Sequence, residues 1–227
     1  MGAVRHGNPG EWARVTGTVI SLWPLFACFT ALGALGASIF FGRNPAVFAG
    51  IFTACLLLTA ALWRKGLRRV ESFFKGARGE ERVAGLLEML PVGWHVFHDF
   101  EAGGYHVDHV AVGPTGVYAV ETKNWRGRVT AEKGEVLVDG VLPDRAPLGQ
   151  AAAEAKAVEA ALRKAGCDVE AVPVLCMASD TFAEPASRVG GTVVVNASGV
   201  AAWVLGRPVA LSADRVARLA QLMETSV

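Results

Sequence analysis

The chain has 227 residues, 52% of them hydrophobic, and a net charge of +1; this is enough for one compact domain plus a further apolar segment. The near-zero total hides an asymmetry, because residues 1–75 carry eight Lys/Arg against two Asp/Glu, while residues 76–227 carry fourteen against nineteen. The larger part is therefore acidic, which excludes a protein that holds nucleic acid by bulk basic charge alone.

Residues 15–41 and 46–63 contain no charged side chain and are joined only by "GRNP". Each is long enough to cross a hydrocarbon core about 30 Å thick, so two transmembrane helices are predicted. A cleaved signal peptide does not fit, since the first apolar stretch starts late, is too long and is followed at once by a second. Arg64, Lys65, Arg68, Arg69, Lys75 and Arg78 crowd the exit of the second stretch, Arg5 and Arg14 precede the first, and Arg43 stands alone between them. The excess places both termini, and the domain that follows, on the cytoplasmic side of the plasma membrane, with the basic cluster near anionic headgroups. Pro24 interrupts the first span, and Gly33 with Ala37 offers a face on which the second helix can approach closely. Four segments are thus expected: a cytoplasmic tail (1–14), a membrane hairpin (15–63), a basic linker (64–75) and a soluble domain (76–227).

Cys28 and Cys55 lie in the apolar stretches, and Cys167 and Cys176 in a domain assigned to a reducing compartment without CxxC spacing. Neither a disulfide nor a zinc site is expected.

The soluble domain begins with "ERVAGLLEMLP", whose Val83, Leu86, Leu87 and Leu90 recur at helical spacing and stop at Pro91; a linker helix broken near Gly76 and Gly79 precedes it. Four strand-like segments follow, "WHVFHDF", "HVDHVAVG", "GVYAVETKNW" and "GRVTAEKGEVLVDG", and are expected to form one antiparallel run. "APLGQAAAEAKAVEAALRKAG" reads as a helix stopped at Gly166, "EAVPVLCMAS" and "GTVVVN" as short buried strands, and the last helix is capped by Ser212. This order predicts an α/β sandwich with a mixed central sheet flanked by helices.

Chemistry concentrates in one hairpin. If Pro114 and Thr115 are the central residues of its turn, Gly113 pairs with Gly116 and Asp108 falls opposite Glu121, with Cβ atoms about 5 Å apart. Lys123 shares that face with Glu121 by strand alternation. Two acids and a base so gathered fit a hard divalent cation with room for water and phosphate oxygens. A three-residue loop with Gly116 in a bulge slips the register by one and sends the two acids to opposite faces. His109 alternates away from Asp108, and it and His106 lack a third partner for a metal site. Trp125 is either a base-stacking platform or a tryptophan at the rim of the core.

"GARGEERVAGLLEML", "VDHVAVGPTGVYAVETKNWRG" and "APLGQAAAEAKAVEAAL", in that order, resemble the NERD (nuclease-related) domain of the PD-(D/E)XK nuclease superfamily, over roughly residues 75–181. The resemblance implies a restriction-endonuclease-like fold. It also implies that Asp108, Glu121 and Glu80 hold Mg2+, with Mn2+ as a substitute and the Thr122 carbonyl completing the shell. By the same resemblance Lys123 orients or activates the attacking water, and Gln150 positions substrate or Lys123. The implied activity is metal-dependent hydrolysis of DNA, with RNA left open as substrate. The competing expectation is a catalytically silent module of the same fold that binds a nucleic-acid or protein partner at the membrane face.

Overall fold

The structure, a computed structural model, describes residues 2–40 and 45–225, the side chains of 38, 45, 47, 48, 51, 58 and 61–69 excepted. It divides into two compact units, one of residues 12–75 and one that joins residues 1–11 to 76–227.

The first unit holds α1 (Glu11–Phe40) and most of α2 (Pro45–Leu87). α1 runs through Pro24 as one helix. Among the described residues one helix, Glu11–Ala37, is long and apolar enough to cross a membrane. The second expected span, 46–63, falls in α2 but includes residues outside the described side chains. Nothing among the described residues approaches within 4 Å of the place a Gly33 side chain would take, so the expected close packing there is not seen. α2 also passes through Gly76 and Gly79 without the expected break.

The second unit is an α/β domain on a mixed seven-stranded sheet. A short strand, β1 (Val4–His6), leads along one edge, and β2 (His95–Ala102), β3 (Tyr105–Gly113) and β4 (Gly116–Lys123) follow as antiparallel neighbours. β4 then pairs in parallel with β7 (Ala171–Met177), and β7 with β9 (Thr192–Asn196); β8 (Ser187–Val189) closes the far edge, giving the order β1-β2-β3-β4-β7-β9-β8. β5 (Val129–Glu132) and β6 (Glu135–Val138) do not join the expected antiparallel run. They form a separate ribbon that packs Val129 and Val136 against Leu175, Met177 and Val194.

The central strands are apolar on both sides because helices cover both faces. α3 (Pro147–Lys164) and α5 (Ala213–Glu224) pack on Val110, Val112, Val117 and Ala119 through Ala155, Val158, Leu162, Val216 and Leu219. The last turns of α2 and α4 (Ala197–Leu205) cover Ala111, Tyr118 and Val120 on the other face through Val83, Leu87, Val200 and Val204. Ser212 caps α5 as expected, accepting from Arg215 N–H at 3.3 Å. The ladder between β3 and β4 ends at His109↔Val120, while β3 stays paired with β2 as far as Tyr105 and β4 with β7 as far as Lys123.

Candidate active site

The β3–β4 ladder runs from Gly113↔Gly116 to His109↔Val120 and stops there. The turn therefore takes the two-residue register, and the next step of the count sets Asp108 opposite Glu121. β2 and β3 turn over at the same level. Phe97 and Phe100, three apart, and Val107 and Val110, also three apart, all lie in the α3-side core, which strict alternation forbids. The break is at Asp99, whose φ of 54° is left-handed, between the pairs His98↔His109 and Phe100↔Val107. The sheet thus opens a fork. Thr122 N–H loses its strand partner and is taken by Asp108 Oδ2 at 2.7 Å, because a buried amide left unmet is costly.

Glu121 is 3% exposed at the mouth of this fork. Lys123 Nζ donates to Glu121 Oε1 and, at 3.1 Å, to Gln150 Oε1. Gln150 in turn donates through Nε2 to Glu154 Oε1 at 2.9 Å. Four side chains from β4 and α3 so form a hydrogen-bonded chain from Glu121 through Lys123 and Gln150 to Glu154, and burial, with Glu121 at the other end, favours the protonated form of Glu154.

Glu80 comes from the opposite face, on α2. Gly79 explains how it gets there: a Cβ at that position would stand 2.8 Å from Asn124 Cβ and 3.2 Å from Ala178 Cβ, so only glycine lets the helix press against the ends of β4 and β7. The "GE" pair is thus a close-packing residue followed by an acid in the field of Asp99, Glu121 and Lys123.

The electrostatics are those of too many carboxylates for one ammonium. Burial, with Asp99 and Glu121 nearby, raises Glu80 to about 7. Burial, then Glu121, raises Glu154 to about 8. Asp108 is pushed well above the ordinary range by burial, Glu121 and Glu80, against the Thr122 hydrogen bond that lowers it. Glu154 Oε2 is buried without a hydrogen-bond partner. Such a set of hard oxygen donors matches Mg2+ or Mn2+ in chemistry. Among the described residues, however, no three His, Cys, Asp or Glu side chains are arranged as ligands about a single point, and Lys123 holds the Glu121 oxygen that a cation would take.

The structure therefore brings together Asp108, Glu121, Lys123, Gln150 and Glu80, and adds Glu154, which the sequence reading passed over. Its signal was the four-residue spacing from Gln150, which puts both on one face of α3. His109 lies on the opposite face with His98, as alternation required, and His106 is exposed beside Glu101. Trp125 packs on the cluster of Val129, Leu175 and Phe182. A cavity of about 770 Å³ lies elsewhere, between the β2–β3 tip and α3, lined by Glu101, Tyr105, Lys156 and Lys164 among others; it contains none of these residues.

Residues 75–178 match the family of the NERD, or nuclease-related, domain. No curated protein and no solved structure matches the chain.

Proposed function

From a nuclease-related domain at residues 75–178, we propose that this chain is a membrane-anchored, metal-dependent phosphodiesterase acting on DNA. The observation that carries the reading is the carboxylate fork: Asp108 and Glu121 at the parting of β3 and β4, with Lys123 held by Gln150 beside them.

Asp108 and Glu121, with Glu80 from α2, would hold Mg2+ or Mn2+. Bound there, the cation polarises the scissile phosphate and lowers the pKa of water. Asp108 is already oriented by Thr122 N–H. Glu121, now paired with Lys123, would serve as a ligand to the cation, and the Lys123 ammonium would then be placed to orient the attacking water. Gln150 keeps that ammonium aimed, since its carbonyl accepts from Nζ while its amide is fixed on Glu154. Glu154 stays neutral near pH 7, with its acid form favoured by burial and by Glu121, and so adds no further negative charge where a phosphate must enter.

The proposed location is the cytoplasmic face of the plasma membrane, with two crossings. Besides the basic flanks, a topological argument supports an even number. β1 precedes α1 in sequence yet pairs with β2 of the domain that follows α2, so both ends of the first unit lead into one domain. If Glu11–Ala37 crosses, this reading takes the apolar stretch 46–63 as the return crossing.

The test uses the full chain in detergent micelles: cleavage of labelled single- and double-stranded DNA and of RNA with Mg2+, Mn2+ or EDTA, for wild type and Asp108→Ala/Glu121→Ala. Metal-dependent cutting lost in the double variant is the expected result. A wild type that neither cuts nor gains melting temperature with either metal would replace this reading with the silent binding module, which the Lys123–Glu121 ion pair already resembles.

A further inference from the structure

The segment before α1 is too short to fold alone, yet it is fitted closely to the α/β domain. Val4 N–H donates to Trp94 O at 2.8 Å and Ala3 N–H to Glu88 O at 3.3 Å, and Val4, Arg5 and His6 pair in parallel with His95, Val96 and Phe97. His6 stacks on Phe97 with ring centroids 4.2 Å apart. Three glycines mark where the segment presses hardest, the first being Gly2, where a Cβ would run into Glu88 O. A Cβ at Gly7 would meet His98 O at 2.5 Å, and one at Gly10 would meet Ala77 Cα at 3.0 Å and Cβ at 3.1 Å; both have positive φ. Larger side chains at either place would lift the segment off.

Its two ends reach toward the fork. Gly10 lies against Ala77 of α2, one turn before Glu80, and its backbone N–H helps to hold the Glu80 pKa down against burial. Arg5 Nε lies 3.5 Å from Glu88 Oε1, Glu88 Oε1 lies 3.2 Å from His98 Nε2, and His98 Nδ1 lies 2.9 Å from His109 Nδ1. His109 is the residue after Asp108. The segment therefore bears on α2 one turn from Glu80 and, through the histidine pair, on the strand that carries Asp108.

We propose that residues 2–10 are a positioning element of the site: docked as the edge strand of the sheet, they brace α2 at Ala77 through Gly10 and so fix the turn of helix that carries Glu80. The domain is in this sense assembled from chain on both sides of the helical hairpin, and a fragment that starts after the spans lacks part of it. The proposal rests on Glu80 belonging to the site described above, but its test needs neither metal nor cleavage.

Full-length protein in detergent micelles with EDTA is treated with a water-soluble carbodiimide and glycine ethyl ester, and modification of Glu80, buried Glu154 and exposed Glu101 is quantified by mass spectrometry. Gly10→Ala and Val4→Pro are expected to raise Glu80 modification several-fold relative to Glu154 and Glu101, because the close contact of the segment with α2 beside Glu80 is lost. Asn8→Ala, on the outer side of the segment, should leave it unchanged. Unchanged Glu80 modification in both Gly10→Ala and Val4→Pro overturns the proposal, as does a parallel rise at Glu154, which signals general unfolding. If neither metal nor DNA has any effect on the wild type while the Glu80 ratio behaves as expected, the nuclease reading fails and the positioning element stands.

Discussion

Asp108 and His109 are neighbours in β3, and each leads into a buried polar cluster of opposite character. On one side, Glu80, Asp108, Glu121 and Glu154 surround the Lys123 ammonium, and three of the four are driven toward their neutral forms by burial and by one another. On the other, His98 and His109 share a 2.9 Å contact between Nδ1 atoms, which works when one ring donates and the other accepts. Burial holds His98 down at about 4, and burial together with His98 holds His109 well below its usual value. The histidine cluster needs no counter-ion, because its rings are neutral, although His109 Nε2 is buried without a hydrogen-bond partner. The carboxylate cluster is stable only with protons or a cation supplied from outside, and that difference is why one reads as a site and the other as support.

The hardest way to strain the comparison is to remove the charge that distinguishes the two clusters. Asp108→Asn keeps the shape and takes away one ligand. Cleavage should fall by about a thousandfold, the scale expected when several kcal/mol of cation-mediated stabilisation are lost. The same change should raise the melting temperature in EDTA, since it relieves repulsion from Glu121 and Glu80. A variant that lowers metal-free stability instead would show that Asp108 is held chiefly for its bond to Thr122.

Gly79→Ala attacks the same cluster through packing. The new methyl meets Asn124 Cβ at 2.8 Å, an overpacking worth about 1–3 kcal/mol. Moving α2 outward withdraws Glu80, so the Mn2+ concentration for half-maximal thermal shift should rise about tenfold, as for changes that disturb a metal's supporting residues. An unchanged Mn2+ midpoint alongside a lowered melting temperature would remove Glu80 from the ligand set.

How these features read from sequence depended on how local their causes are. The Asp108–Glu121 register followed from one turn, and the Ser212 cap from one side chain. The ribbon β5–β6 was mistaken for a continuation of the sheet, because nothing within "GRVTAEKGEVLVDG" says that β7 will claim the free edge of β4. β8 and α4 went unread, the first being three residues long and the second an apolar stretch without a side-chain cap. β1 was hidden in a segment that reads as a tail, since its partner lies some ninety residues on. Glu154 was missed as one of two acids in an Ala-rich helix, and its role appears only once Gln150 is seen holding Lys123.

pH separates the two clusters without any mutation. Acids whose folded pKa values are raised bind protons more tightly when folded, so Glu80 and Glu154 make the metal-free domain less stable as pH rises from the ordinary carboxyl range through about 7 and 8. Histidines whose folded values are lowered act the other way, and His98 withdraws stability as pH falls from about 6.5 toward 4. Between about pH 4.5 and 6.5 the two clusters therefore work against each other, whereas above 6.5 only the carboxyls titrate, so in EDTA the melting temperature should fall by about 3 °C or more from pH 6.5 to pH 8. Saturating Mg2+ or Mn2+ should remove that loss, because a cation stabilises the ionised carboxylates and does nothing for the histidines. Equal stabilisation by metal at pH 5 and at pH 8 would mean that the metal acts elsewhere on the molecule.

The smallest effect is expected at His106, which separates proximity in sequence from membership in either cluster. It lies two residues from Asp108, is 40% exposed, and sits 3.2 Å from the exposed Glu101 and 3.9 Å from Asp99. An ion pair in such surroundings is worth little, so His106→Ala should change stability by no more than about 0.5 kcal/mol and leave both cleavage and the Mn2+ midpoint as they were. A large loss of cutting from this substitution would extend the site along β3 past the fork, toward Asp99, and would make the turnover of β2 and β3 at that level part of the chemistry as well as of the fold.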